Sequence, residues 1–358
     1  MYRVDARPTR IELEPAHAFS VDGEVVELAW GYEDQQVYAA TADGELCRYD
    51  TQSKKKVWRN TMHSAGVSSL SLSANGALLA SCGLDDHLYL YNACTGTILQ
   101  DERLPAWGER ARFSPDGEYL AVACGRQVRV FRCGAGSLEL SDVFDSHAST
   151  VTDIAWDPSS QRIAATAYGA VSVWPIQDPA NVRRFEWKGS SLCVAWSPGA
   201  RFLATGDQDA TVHFWFVESG TDLQMYGYEN KVRELSWDWS GRYLATGGGR
   251  VACIWDCEGK KGPENTRPLE LMYHSEKVRA LQFAHHDRIV ATGDGLGMLA
   301  IWDPFDDIGP RESIEPVDRR MLPDAVSVLS FSPADRYLAV GCADGTVFLY
   351  LCHGRGIC

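Results

Sequence analysis

The stretch Lys231-Val-Arg-Glu-Leu-Ser-Trp237-Asp-Trp-Ser-Gly241-Arg-Tyr-Leu-Ala-Thr-Gly247-Gly-Gly-Arg250-Val-Ala-Cys-Ile-Trp-Asp256 contains three strands and two turns. Val232 to Trp237 reads as a short strand. Asp238-Trp-Ser-Gly241 is a turn, with glycine supplying a permissive backbone. Tyr243 to Gly247 is a second strand, and Gly248-Gly-Arg250 turns again. Val251 to Asp256 is a third strand, rich in β-branched and aromatic residues. A weaker fourth strand follows near Leu269-Glu-Leu-Met272.

The same order recurs along the chain. The first strands end on Trp30, Leu72, Phe113, Trp156, Trp196, Trp237, Phe283 and Phe331, spaced by 42, 41, 43, 40, 41, 46 and 48 residues. Second strands include Leu78 to Ser81, Tyr119 to Val122, Phe202 to Thr205 and Tyr337 to Val340. Third strands include Leu88 to Tyr91, Val128 to Phe131, Val171 to Trp174, Val212 to Trp215, Leu299 to Trp302 and Val347 to Tyr350. These near-continuous apolar runs suit strands covered on both faces, and no helical period of useful length interrupts them. A unit this short cannot bury its own apolar face and must stack on neighbours. The repeats run approximately 25–60, 67–102, 108–143, 151–187, 191–227, 232–273, 278–319 and 326–358, within a single domain spanning 1–358.

The 358 residues carry 34 Lys+Arg against 48 Asp+Glu, a net charge of −14. So acidic a surface repels phosphate backbones and anionic lipid, which argues against nucleic acid or a membrane as partner. The first residues lack the apolar core of a signal peptide, and no run approaches a membrane span. A cytoplasmic chain is expected. The 11 cysteines lack framework spacing, and Cys47, Cys82, Cys124, Cys193, Cys253 and Cys342 fall inside apolar strands. They are expected to be reduced and packed as small hydrophobes.

These features resemble the WD40 family of β-propellers. Ile254-Trp-Asp256 and Ile301-Trp-Asp303 match the family dipeptide, whereas Tyr49-Asp50, Tyr91-Asn92, Trp174-Pro175 and Trp215-Phe216 drift from it. The family's histidine, four residues before the first strand's valine, falls at His63 (Val67), His147 (Val151) and His274 (Val278). The resemblance implies that this histidine pairs with a turn aspartate. Spacing from the third-strand aromatic puts that aspartate at Asp43, Asp85, Asp209 or Asp344. On that spacing only the second repeat holds both, as His63 and Asp85, with Ser81 and Tyr91 completing the set. The fold expected is an all-β ring of eight four-stranded blades, with seven blades and one displaced unit as the alternative. Residues 11–19 would supply the missing outer strand of the last blade and close the ring, removing an exposed sheet edge.

Few motifs suggest chemistry. His63, His147 and His274 are read as buried structural groups. The tail Cys352-His353-Gly-Arg-Gly-Ile-Cys358 offers soft ligands for zinc or copper, and Cys253 and Cys257 could add to them. That spacing matches no standard zinc module. Gly293-Asp-Gly-Leu-Gly297 and Gly247-Gly-Gly-Arg250 are read as tight turns, because no helix follows to receive a phosphate. No nucleophile elbow, metalloprotease or kinase motif is present. The chain is expected to be no enzyme and to need no cofactor.

A rigid propeller presents its loops on two faces. On the face carrying the histidine loops, Arg233 and Arg279 occupy equivalent first-strand positions in repeats six and seven. Tyr228, Lys231 and Lys277 lie beside them, and Trp107 precedes the first strand of repeat three. This cationic mouth is expected to favour an acidic or phosphorylated peptide. On the opposite face the long inserts 257–268 and 303–312 should emerge side by side, with Phe305 and Ile308 as a small apolar anchor. The function expected is a protein–protein interaction scaffold, a monomer within a larger complex. The alternative is a metal-handling accessory protein using the cysteine–histidine tail, and below it an enzyme using the central channel.

Overall fold

The computed structural model describes residues 12–145, 147–304 and 313–353. Among these, every regular element is a strand except one short 3-10 turn at Tyr32–Asp34. No helix among the described residues is long and apolar enough to cross a membrane. Each repeat folds as an antiparallel meander. In repeat six, Leu235–Trp237, Tyr243–Thr246, Val251–Asp256 and Leu269–Met272 pair in chain order. Second strands are buried on both faces, as Tyr119–Cys124 is along its whole length, which accounts for their unbroken apolar runs.

The first strands touch one another in sequence order, and that of the last repeat (Val326–Phe331) touches that of the first (Val25–Trp30). The ring is therefore closed. The N-terminal strand Glu12–Ser20 pairs antiparallel with Thr346–His353, from Glu12↔His353 to Ser20↔Thr346, and completes the last sheet. Residue 11, placed in this strand by sequence, lies outside the described residues.

Among the described residues the strands form seven hydrogen-bonded sheets, not eight separate four-stranded blades. Repeats four and five share a six-stranded sheet because Arg183–Trp196 is one unbroken strand. Its first half is the outer strand of repeat four (Val171↔Phe185), and its second half is the first strand of repeat five (Val194↔Thr205). No turn residue breaks it. At Gly189 an added Cβ would fall 2.2 Å from the Trp187 ring, so glycine lets the chain pass over that indole without displacing it. The sheet count is thus the alternative's seven, reached by fusing two repeats and not by displacing one. Repeat six gains a fifth strand, Ser313–Ile314, which adds parallel to Leu269–Met272.

The anchor residues tie neighbouring repeats together. The indole N–H groups of Trp30, Trp156, Trp196 and Trp237 donate to the carbonyls of Ser330, Arg112, Ala155 and Ala195, at 2.8, 2.9, 3.0 and 3.3 Å. Each acceptor lies one residue before the preceding repeat's anchor. Phenylalanine has no such donor. There the residue at the same acceptor position is polar, and its side chain takes the anchor's backbone N–H instead. Ser71 accepts from Phe113 (3.0 Å), Ser236 from Phe283 (2.9 Å) and Gln282 from Phe331 (2.9 Å). Apolar clusters fill the gaps between repeats; one joins Val25, Trp30 and Val37 of the first to Ala339, Val347 and Leu349 of the last.

Candidate functional site

The histidine loops open on one face of the ring, around the top of the first strands. In repeat two, His63 is buried, with Nδ1 2.9 Å from Asp85 Oδ1 and Nε2 2.7 Å from Ser81 Oγ. The Tyr91 hydroxyl lies 3.4 Å from Ser81 Oγ, and Asp85 also accepts the Ser64 backbone N–H at 2.9 Å. Burial lowers the His63 pKa against the opposing pull of Asp85. Although burial opposes it, the Asp85 carboxyl sits below its ordinary value because of the hydrogen bonds it accepts. A neutral imidazole donating through Nδ1 and accepting through Nε2 satisfies every partner.

Repeat two does not stand alone. In repeat seven, His274 Nδ1 is 3.0 Å from Asp294 Oδ2 and Nε2 is 2.7 Å from Thr292 Oγ1, which also accepts Trp302 Nε1–H at 2.7 Å. Asp294 sits two residues ahead of the position that spacing from Trp302 indicates, at the end of the second strand. Its other oxygen accepts the backbone N–H groups of Leu296 and Met298 and holds the turn. Asp207 in repeat five occupies the same offset, 2.8 Å from Ser191 Oγ and 2.8 Å from Nδ1 of His213 on the third strand. The shared run Ala-Thr-Gly-Asp, at 204–207 and 291–294, was the sequence signal for both. Among the described residues no aspartate hydrogen-bonds the His147 ring. Its Nδ1 lies 3.1 Å from the Arg126 carbonyl, and burial lowers its pKa.

Tyr228 is not part of a free surface. It occupies the histidine position of repeat six, four residues before Val232. Its hydroxyl lies 2.9 Å from Thr246 Oγ1 and accepts Trp255 Nε1–H at 3.1 Å. Burial raises its pKa. Phenol replaces imidazole in the same network, which the spacing alone would have shown.

Lys231, Arg233 and Arg279 are exposed, and Lys277 is half-buried. Lys277 Nζ lies 3.4 Å from the Lys231 carbonyl and 3.7 Å from buried Glu234. Arg279 lies 3.8 Å from Glu24, a long contact. Lys231 and Arg233 make no ion pair among the described residues. Trp107 is 43% exposed but belongs to repeat three, so the ring does not bring it to this group. Phe305 and Ile308 lie outside the described residues.

The tail is split by strand alternation. Cys352 is buried in the core, its thiol pushed up to about 12 by burial. His353 faces solvent, with Nε2 2.7 Å from Glu14. The two point to opposite faces of one strand and are not brought together. Cys358 lies outside the described residues. Cys253 and Cys257 also have raised pKa values through burial, and no cluster of metal-ligating groups occurs among the described residues.

The architecture is that of a closed β-propeller. The chain belongs to the WD40 family: the family's model, described as WD domain, G-beta repeat, matches residues 54–92, 138–175, 182–215, 220–256 and 320–350. It is similar to the WD repeat-containing protein VIP3 of Arabidopsis thaliana, 28% identical over 193 residues, covering 50% of this chain and 51% of that protein. THO complex subunit 3 of Arabidopsis thaliana is 23% identical over 203 residues, covering 55% and 60%. The guanine nucleotide-binding protein subunit beta of Nicotiana tabacum is 22% identical over 305 residues, covering 78% and 81%. The chain thus spans little more than half the length of the first two relatives. The crystal structure of the computationally designed Ika8 protein superposes with a TM-score of 0.78 at 18% identity, covering 95% of this chain and 100% of that one. That likeness concerns the fold alone.

Proposed function

We propose that this chain is a non-catalytic, cytoplasmic interaction scaffold that recruits an acidic or phosphorylated protein segment at the mouth of its ring. The observation that carries the reading is the pair Arg233 and Arg279. Both are exposed, and they stand at equivalent repeat positions in neighbouring repeats six and seven, Arg233 two residues ahead of the strand Leu235–Trp237 and Arg279 within Val278–Phe283. Lys231 and Lys277 add charge beside them. Arginine at a rigid mouth is the residue type that dominates interface energies, and its fork matches carboxylate and phosphate. The relatives support the class: one is named as a subunit of a complex, another as the beta subunit of a guanine nucleotide-binding protein. The reading needs no cofactor and no nucleic acid, and it has the chain work as one copy within a larger complex.

The test is affinity capture from the source cytosol with quantitative mass spectrometry, wild type beside the double variant Arg233→Glu/Arg279→Glu. A near-stoichiometric partner lost by the variant is the expected result. Equal recovery by both would move the interface off this mouth.

A further inference from the structure

We propose that the outer edge of repeat five is a second docking site, and that it takes a short extended segment of a partner protein carrying basic residues beside an apolar one. The site is separate from the mouth and does not depend on it. The outer strand Asp222–Met225 is the last strand of its sheet, so one row of its backbone donors and acceptors faces outward. Beside it the insert between the third and fourth strands of repeat six folds back across repeat five. At Gly262 (φ +55°) an added Cβ would lie 2.8 Å from the Phe214 ring, so the insert presses closely on this sheet. Strand and insert do not close on each other. Between them runs a cleft of about 530 Å³.

The lining specifies what fits. Leu223, Tyr226, Trp255 and Pro263 supply apolar and aromatic surface, and Tyr226 is 72% exposed. Asp222 and Glu264 supply two carboxylates, and no lysine or arginine lines the cleft. Among the described residues, Asp222's one ion-pair approach is from His213 Nε2, at 3.9 Å. Glu264 pairs with Lys261 at 3.4 Å, both solvent-accessible, an ion pair that an incoming cation can replace at little cost. An edge strand in a groove of one sign is the arrangement by which extended peptides add to sheets, with main-chain bonds giving affinity and pockets giving choice. The chain does this to itself one repeat further on. Ser313–Ile314 adds parallel to Leu269–Met272, with Glu270↔Ser313 and Leu271↔Ile314 in register. That edge is occupied by the chain's own segment, whereas the edge of repeat five faces the acidic cleft.

The test uses a fluorescein-labelled hexapeptide, Lys-Val-Arg-Val-Lys-Leu, titrated by anisotropy into the full chain. Saturable binding is expected. Asp222→Lys/Glu264→Lys, with an unchanged melting curve, should weaken it at least about tenfold. A probe with proline at its third position should bind no better than background, because it cannot complete the strand. Arg233→Glu/Arg279→Glu should leave binding unchanged, which separates this site from the mouth. Amides of residues 222–226 should gain hydrogen-exchange protection on binding. No saturable binding, binding indifferent to the cleft variant, or protection confined to other segments would overturn the proposal.

Discussion

His63→Ala removes the donor to Asp85 and the acceptor for Ser81, leaving a buried carboxylate without its main partner. It should lower unfolding stability by about 1–3 kcal/mol, and His274→Ala should act alike through Asp294 and Thr292. Urea unfolding of each variant checks this; an unchanged midpoint would refute it. His285, whose side chain is 43% exposed, has a raised pKa: desolvation of the ring would lower it, but the hydrogen bond and charge of Asp335 outweigh that. The Asp335 carboxyl is correspondingly lowered, and it also accepts the backbone N–H groups of His285 and His286 at 2.8 and 2.6 Å. The stability contributed by His285 is therefore fully present below pH 6.5 and lost as pH rises through its raised folded value. His63 and His147 have lowered values and act in the opposite sense, costing stability as pH falls below 6.5. The stability difference between wild type and His285→Gln should shrink as pH rises from 6 to 8. A difference flat across that range would contradict the assignment. At this scale the sequence was legible where spacing held, as at His63 and Asp85. A fixed histidine–aspartate spacing misses the partner that moved along the chain, as at Asp294, and the phenol that Tyr228 puts in the imidazole's place, although the Ala-Thr-Gly-Asp run and the four-residue offset from Val232 mark them.

The elements were legible for a different reason. Second and third strands are covered on both faces, so their apolar runs mark them without ambiguity. The break between repeats four and five was not legible, because Trp187-Lys-Gly-Ser190 continues as strand and glycine there serves close approach, not a turn. The anchor pairing gives a test at this scale. Ser71→Ala and Ser236→Ala remove the acceptors for the Phe113 and Phe283 backbone N–H groups, and each should cost about 1 kcal/mol in thermal or urea unfolding. Trp196→Phe should destabilise by deleting the donor to the Ala155 carbonyl. Adding Ala155→Ser to that variant should recover part of the loss, reproducing the chain's own solution at Ser71 and Ser236. Additive losses in place of recovery would refute the rule.

At the scale of the whole molecule, one strand from the N-terminal end closes the ring. Glu12–Ser20 carries Leu13 and Phe19 into the core beside the last sheet, and the Leu13 backbone N–H donates to Asp318 at 2.7 Å. Removal of residues 1–20 should uncover the Thr346–His353 edge, lower the melting temperature and promote self-association, all visible by calorimetry and light scattering. Closure also fixes the backbone that carries Arg233 and Arg279. Hydrogen exchange of the chain alone and bound to its captured partner decides whether the mouth is the interface. New protection is expected at residues 228–233 and 274–279, around the mouth of repeats six and seven. Protection confined to the turns of the opposite face, with the mouth unchanged, would contradict it.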